Sequence, residues 1–459
     1  MASQDACVRV QSIRVKQLFG LYDHFVTLTS DRVTVIHGPN GVGKTVLLKL
    51  TNAFLKGRYS EIARVPFEVF EIEFNDNSIA TIQSQVEPAA KSLQITFRTS
   101  AGSPVTVELG EESLNAQKTA QQIEQTVTWL SQIGPEEWID LRSEDVLTAE
   151  DVIERATAFN SVAGAKVSIE PEALQDLRKR IHVHLIETQR LIRVLPSHFR
   201  GRRSPIRSTT STVLEYAEDL KKRLETALAN YGKFSEKLDQ SFPERLLHGT
   251  PPQFSAEQLK EDLKSIRATR EQLKTIGLVD QDEPGENTGL LAVSEVDSMD
   301  RLQQNVLSVY ARDTMEKFSV LKEISRRVEI LLSVLSRKFI NKTVRVSRVS
   351  GLAIFDRDGK QIPITVLSSG EQHELVLLYD LLFKVQPNTL VLIDEPELSL
   401  HILWQKAFMD DLLQIIKVAQ LNIILATHSP YIVGDRDDLL VALSAEAAGR
   451  GKEHRDESP

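Results

Sequence analysis

The stretch VTVIHGPNGVGKT, residues 33–45, constrains this chain more than any other. Val33, Thr34, Val35 and Ile36 are β-branched and apolar enough to form a buried strand. Gly38, Pro39, Asn40, Gly41, Val42 and Gly43 follow, a run too rich in glycine and proline to extend that strand. Lys44 and Thr45 then open a segment with apolar residues at Val46, Leu47, Leu50 and Phe54, the spacing of a helix that Gly57 ends. A strand turning through glycines into a helix presents free backbone N–H groups and the positive end of a helix, and both attract phosphate. The G-x-x-x-x-G-K-[ST] spacing adds Lys44 for the β- and γ-phosphates and the Thr45 hydroxyl for Mg²⁺.

Two further apolar runs end in polar tips. TLVLIDEPE delivers Asp394 and Glu395 to the C-terminal end of a buried strand, where α/β sheets place their chemistry. Asp394 is expected to hold Mg²⁺ through water, and Glu395 to polarise the attacking water. NIILATHS ends at His428, 33 residues beyond Glu395 with a helix between them. That spacing predicts a neighbouring strand and a histidine within reach of the γ-phosphate. The stretch LSSGEQHELVLLYDLLF, residues 367–383, starts a helix with small residues and nothing bulky, so its N-terminus can approach a phosphate closely.

Along the chain the order is P-loop, LSSGE helix start, DE strand and strand-tip histidine, and in that order the four motifs resemble the ABC-type ATPase fold. The expected class is therefore α/β, an ATPase head split by a long helical, coiled-coil-like insertion. The resemblance implies ATP as the nucleotide. It also implies that Ser368, Ser369, Gly370 and Glu371 cap the γ-phosphate held by a second copy of the chain, so that two heads close around ATP. The family's commoner form carries two glycines where this chain has Ser369 and Gly370.

Lys44 and Ser368 are 324 residues apart, far more than a transporter ATPase subunit needs. The gap resembles the SMC-like branch, in which helices split the head. LSSGEQHELVLL, LIDEPELSLH and ATHSPYIV look like the stand-alone ATPases grouped with OLD-family and related prokaryotic defence proteins. In size the chain is similar to the ATPase subunits of two-gene anti-phage systems of the PARIS and Septu types. That implies a slow ATPase switch or scaffold, sensing infection and controlling a separate effector, a nuclease encoded nearby. OLD proteins carry a TOPRIM nuclease after the ATPase, and only 31 residues follow His428 here. The alternative is a DNA-repair ATPase of the SMC or recombination-mediator type. ELSLH occupies the D-loop position, which would put Ser399 and His401 at the dimer interface.

The expected organisation is an N-terminal lobe over 1–180, a helical insertion over 181–340, a C-terminal lobe over 341–443 and a polar, disordered tail over 444–459. Within the insertion, apolar residues from Val213 to Leu238 step by three and four, the pattern of an amphipathic helix that SFPERLLHGTPPQ should break. A second helix carries Leu259 to Ile276, and a third runs from about Arg301 to Phe339.

The net charge of −9 carries no overall nucleic-acid footprint. Six arginines in RLIRVLPSHFRGRRSPIR, residues 190–207, read first as a solvated loop paired with the protein's own carboxylates and second as a phosphate-binding patch. One cysteine, no signal-peptide pattern and no apolar run of spanning length lead to the expectation of a cytoplasmic protein without membrane contact. Phe19, Tyr22 and Phe25 are candidates to stack on adenine, Gln83 for a Q-loop and Arg58 for a phosphate contact, each with a plain core or surface role as the simpler reading. His182 and His184 are two apart on a strand and read as structural.

Overall fold

A computed structural model describes residues 8–86, 91–100, 102–135, 137–143, 145–158, 171–187, 192–195, 208–248, 255–279 and 293–443. The chain divides into two units, 1–210 with 385–459 and 211–384. The sequence reading drew its lines at 180 and 340. The strand Val183–Ile186 pairs into the first unit's sheet, and the strands Thr343–Ser347 and Gly351–Phe355 pack with the helices of the second.

The first unit is built on a five-stranded parallel sheet in the order Val183–Ile186, Leu390–Asp394, Asn422–Thr427, Val33–His37, Leu440–Ala442. Parallel neighbours need a crossover, and the helix Ile402–Ala419 supplies one between Leu390–Asp394 and Asn422–Thr427. The three middle strands are almost wholly buried, which is why they read as unbroken apolar runs. A second sheet is antiparallel, in the order Tyr22–Thr27, Val10–Leu18, Val69–Phe74, Ile79–Val86, Lys91–Arg98, Val105–Leu109. The helix Lys44–Lys56 joins the two sheets in one core. Leu47, Leu50 and Phe54 pack in a single cluster with Ile13, Val15 and Phe70 of one sheet and Leu392, Ile424 and Ala426 of the other. A small satellite of the helices Ala116–Thr126 and Ala149–Ala158 on three short strands has its own core around Trp138, Ala120 and Val152.

The second unit is mainly helical. Its longest helix, Thr212–His248, buries Val213, Tyr216, Leu220 and Leu224 along one face. It ends at His248, inside the stretch 241–253 where the sequence expects the break, and Pro243 lies within its last turns. A proline removes one backbone N–H and crowds the preceding turn. Here the Ser241 hydroxyl donates to the Lys237 carbonyl at 3.1 Å and the Arg245 guanidinium donates to the Leu238 carbonyl at 2.7 Å, so the disturbed turn is bonded by side chains. Arg245 also reaches Asp313 at 2.7 Å, which ties this end to a neighbouring helix.

The expected helix from Arg301 to Phe339 is two helices, Arg301–Ser319 and Lys322–Lys338. At the break, Val320 and Leu321 donate to the carbonyls of Lys317 and Phe318, i→i+3 bonds that tighten the chain out of the α-helical ladder. The remainder is a three-stranded meander, Thr343–Ser347, Gly351–Phe355 and Gln361–Ile362, followed by the helix Ser369–Tyr379. That helix runs into a π-helical turn at Asp380–Lys384. Among the described residues no helix is long and apolar enough to cross a membrane. The acidic, Gly- and Pro-containing stretch VDQDEPGENTG, read from the sequence as a loop, lies outside the described residues from 280 on, as does the tail from 444.

Candidate functional site

Val33–His37 lies between Asn422–Thr427 and Leu440–Ala442, so the loop from Gly38 leaves the middle of the parallel sheet. Gly43 has φ 97°, and a Cβ there would come within 2.5 Å of Leu18 Cδ2. Any other residue would be strained at that φ and would have to push the Leu18 methyl aside. Val42 is buried, and its carbonyl accepts from His24 Nε2 at 2.7 Å. A carbonyl can only accept, so Nε2 carries the proton. His24 was not singled out in the sequence; the signal was its place with Val26 on the inward face of the alternating strand Tyr22–Thr27. Pro39, Asn40 and Gly41 form the exposed rim of the loop. Lys44 is 4% exposed, and its ammonium donates to the carbonyls of Gly38 at 2.8 Å and Pro39 at 3.0 Å.

The adjacent strands bring their tips to this loop. Thr45 Oγ1 donates to Asp394 Oδ1 at 3.0 Å. Glu395 N–H continues the ladder to the Ala426 carbonyl at 2.9 Å, but its own backbone is left-handed, φ 43° and ψ 57°. A non-glycine residue in that region stores about 1–3 kcal/mol of strain, a feature that clusters at functional sites. His428 Nδ1 lies 3.7 Å from Glu395 Oε1 and 3.1 Å from Glu397 Oε1. Burial, with Glu395 and Glu397 adding to it, pushes the Asp394 carboxyl above the usual carboxylate range, against the Thr45 hydrogen bond and the charge of Lys49. Crowded, partly desolvated carboxylates beside a hydroxyl form a donor set that suits a hard divalent cation. The sequence reading expected Asp394, Glu395, His428, Lys44 and Thr45 together, and the first unit assembles all five.

A family model described as "AAA domain, putative AbiEii toxin, Type IV TA system" matches residues 33–434. The chain belongs to this family. No curated protein matches it. Among solved structures it is similar to the SMC head domain from Thermotoga maritima, at 11% identity over 96% of this chain and 97% of that one, with a TM-score of 0.31. It is also similar to an SMC head bound to the C-terminal winged-helix domain of ScpA, at 11% identity over 95% of each chain, with a TM-score of 0.33.

In the second unit of this AAA-domain chain, Ser368 caps the helix Ser369–Tyr379. Its hydroxyl accepts from Glu371 N–H at 3.4 Å, and Glu371 Oε2 accepts from Ser368 N–H at 2.8 Å, a reciprocal capping box. Lys342 pairs with the same carboxylate at 2.7 Å. Burial alone would raise the Glu371 pKa; Lys342 and the Ser368 hydrogen bonds outweigh it and hold the group below the usual range. The side chains of Ser368 and Glu371 are thus engaged with each other, while Ser369 is exposed beside them. One turn on, Glu374 forms a fully buried ion pair with Lys338.

The weaker candidates separate. Phe19 is 41% exposed, with its ring 3.6 Å from where a Gly43 Cβ would lie, and Phe25 is exposed beneath Arg14; neither is core. Tyr22 stacks on His24 and packs against the core. Gln83 lies mid-strand in the antiparallel sheet, paired with Val69 and Gln94, and not in a loop. Arg58 is held by Asp151 at 2.7 Å, Glu154 at 2.8 Å and Glu61 at 3.3 Å, so its charge is matched within the unit. His401 caps the helix Ile402–Ala419, accepting from Leu403 N–H at 3.3 Å. His184 pairs in register with Val391 of the parallel sheet. The arginine-rich stretch at 190–207 lies outside the described residues, apart from the backbone of Ile192–Leu195.

Proposed function

We propose that this chain is an ATP-hydrolysing switch whose heads pair around ATP and, in a cytoplasmic defence system against phage, control a separate effector, a nuclease. The convergence of Thr45, Asp394, Glu395 and His428 at the tips of three adjacent parallel strands carries this reading. The P-loop backbone and Lys44 would hold the β- and γ-phosphates; Lys44 would leave the carbonyls of Gly38 and Pro39 for them. Thr45 and Asp394 would hold Mg²⁺, which supplies charge neutralisation at the phosphates. Glu395 would take a proton from the attacking water, and His428 would bind the terminal phosphate. Phe19, exposed beside Gly43 of the loop, would meet the base.

Ser369 and the first N–H groups of its helix are what the second unit offers to the nucleotide of a paired copy. Leu398, Ile402 and Leu403 are exposed around the D-loop and would meet that copy. The family's description names a type IV toxin–antitoxin system, which favours a two-component logic over a stand-alone repair machine.

The test is Glu395→Gln. The amide fills the space of the carboxylate but takes no proton, so ATP should still bind while turnover falls at least ~100-fold. The variant should accumulate as an ATP-dependent dimer on sizing. Wild-type turnover in Glu395→Gln would remove Glu395 as the base, and a monomer at every ATP concentration would remove the paired-head switch.

A further inference from the structure

The ATPase reading leaves one buried carboxylate at the sheet tips without a task. Glu397 lies on the turn Pro396–Ser399, two residues past Glu395, with its side chain 3% exposed. Its Oε1 gathers donors from three consecutive residues at the end of the neighbouring strand. The Thr427 hydroxyl donates at 2.6 Å, His428 N–H at 2.9 Å and Ser429 N–H at 3.3 Å. The His428 ring lies against the same oxygen, with Nδ1 at an ion-pair distance of 3.1 Å. A buried carboxylate is costly unless hydrogen bonds replace its water, and here one oxygen takes three of them beside the His428 ring. The arrangement fixes the backbone that carries His428 and, separately, the rotation of its ring.

We propose that Glu397 is the positioning residue of this site: it holds His428 by Nδ1 and by its backbone, so that Nε2 is the edge offered to the terminal phosphate of ATP. A proton on Nδ1 faces the negative charge 3.1 Å away, whereas a lone pair there would be repelled by it. Fixing one ring nitrogen in this way decides which nitrogen is left to act. Glu397 touches neither phosphate nor metal in this scheme and acts through His428. The same carboxylate joins the turn carrying Glu395 to the strand carrying His428, so it sets the separation of the two groups that face the γ-phosphate.

This inference rests on the ATPase reading, and its test separates the two. ATP turnover and nucleotide affinity are measured for Glu397→Ala, Glu397→Asp and Glu397→Gln, each with His428 intact and with His428→Ala. The ring nitrogens of His428 are followed by ¹⁵N NMR without nucleotide. Glu397→Ala should lower kcat ~10- to 100-fold, with affinity for ATP within about threefold, and should cost nothing further once His428 is alanine. Glu397→Asp retains the charge but falls short by one methylene, so it should lose about as much as alanine; it carries the test if the alanine variant does not fold. Glu397→Gln keeps an accepting oxygen and should lose no more than about fivefold. The Nδ1 signal should shift in Glu397→Ala and Glu397→Asp. A kcat loss that multiplies with that of His428→Ala, or an unmoved Nδ1 signal, overturns the role of Glu397 while leaving the ATPase reading intact. A silent His428→Ala overturns the role of Glu397 alone, and absent ATP turnover in the wild type overturns both.

Discussion

Thr45 Oγ1 and Asp394 Oδ1 are 3.0 Å apart although 349 positions of sequence separate them. The contact couples the first turn of the P-loop helix to the tip of the next strand but one. Asp394 is also the group whose charge the site tolerates least, being partly buried beside Glu395 and Glu397. Asp394→Asn should therefore abolish the Mg²⁺ dependence of ATP binding without lowering the melting temperature of the nucleotide-free protein. The amide still accepts from Thr45 and no longer repels its neighbours. Nucleotide titrations with and without Mg²⁺, alongside thermal melts, check both halves.

Lys44→Ala should weaken ATP binding by ~100-fold or more, because the phosphates lose a point charge in a nearly buried site. The fold should survive, since Lys44 bonds only to loop carbonyls and the helix behind it is held by Leu47, Leu50 and Phe54. Calorimetric titration reads the affinity, and an unchanged Kd would contradict the assignment of the loop.

Gly351 and Gly359 offer a contrast within the second unit. Both have positive φ, 67° and 78°. A Cβ at Gly351 would sit 1.9 Å from the Ala217 carbonyl oxygen, whereas nothing lies within 4 Å of one at Gly359. Gly359→Ala should cost about 1 kcal/mol, the backbone term alone. Gly351→Ala should cost about 3 kcal/mol or more, because the strand must move off the long helix. Urea unfolding midpoints distinguish them, and equal losses would show that the close approach is not rigid.

Lys338 and Glu374 are 4% and 1% exposed. Removing either partner leaves a buried charge, so Glu374→Leu should destabilise by about 3–5 kcal/mol. Adding Lys338→Met should recover most of that loss, since two packed apolar groups replace the pair. A double variant as unstable as the single one would mean that the pair also holds its surroundings in shape.

Asp219 gives the second unit an acid limit. Burial alone would raise its pKa, but hydrogen bonds from Tyr379, Arg223 and Lys384 outweigh it and lower the pKa to about 2. A carboxyl depressed in the folded state contributes stability above its unfolded pKa of about 4, and the contribution is lost as pH falls toward 2. Asp219→Asn should thus flatten the fall in stability between pH 4 and 2, by roughly 1–2 kcal/mol after allowance for solvent screening. Unfolding free energies measured across that window give the slope directly.

The chemistry of the first unit was legible because it is local. A glycine loop needs small residues in sequence, and a buried parallel strand needs an unbroken apolar run, so 33–45, 390–395 and 422–428 each announce themselves. What was hidden depends on partners elsewhere in the chain. Pro243 reads as a breaker until Ser241 and Arg245 bond the turn it disturbs. The apolar spacing from Leu321 to Leu335 continues the helix on paper, and two backbone bonds shift to i→i+3 to end it at Val320. Glu397 looked like one more acidic residue after a strand, because its three donors come from 30 residues away and beyond. Glu371 reads either as a phosphate-facing group or as part of a helix cap, and its hydrogen bonds with Ser368 form the cap.

The order of the parallel sheet has a consequence for how the chain is made. Val33 pairs with Ile423, 390 positions later, and the other edge of that strand pairs with Leu440–Ala442. At a synthesis rate of ~5–20 residues per second, the P-loop strand emerges roughly 20–80 s before either neighbour exists. Its unpaired edges are open to wrong pairing throughout that interval. The antiparallel sheet from Val10 to Leu109 draws on consecutive segments and can form meanwhile. A nascent chain therefore carries a complete phosphate loop long before it carries a nucleotide site, and the site comes into being only when translation reaches the last strands.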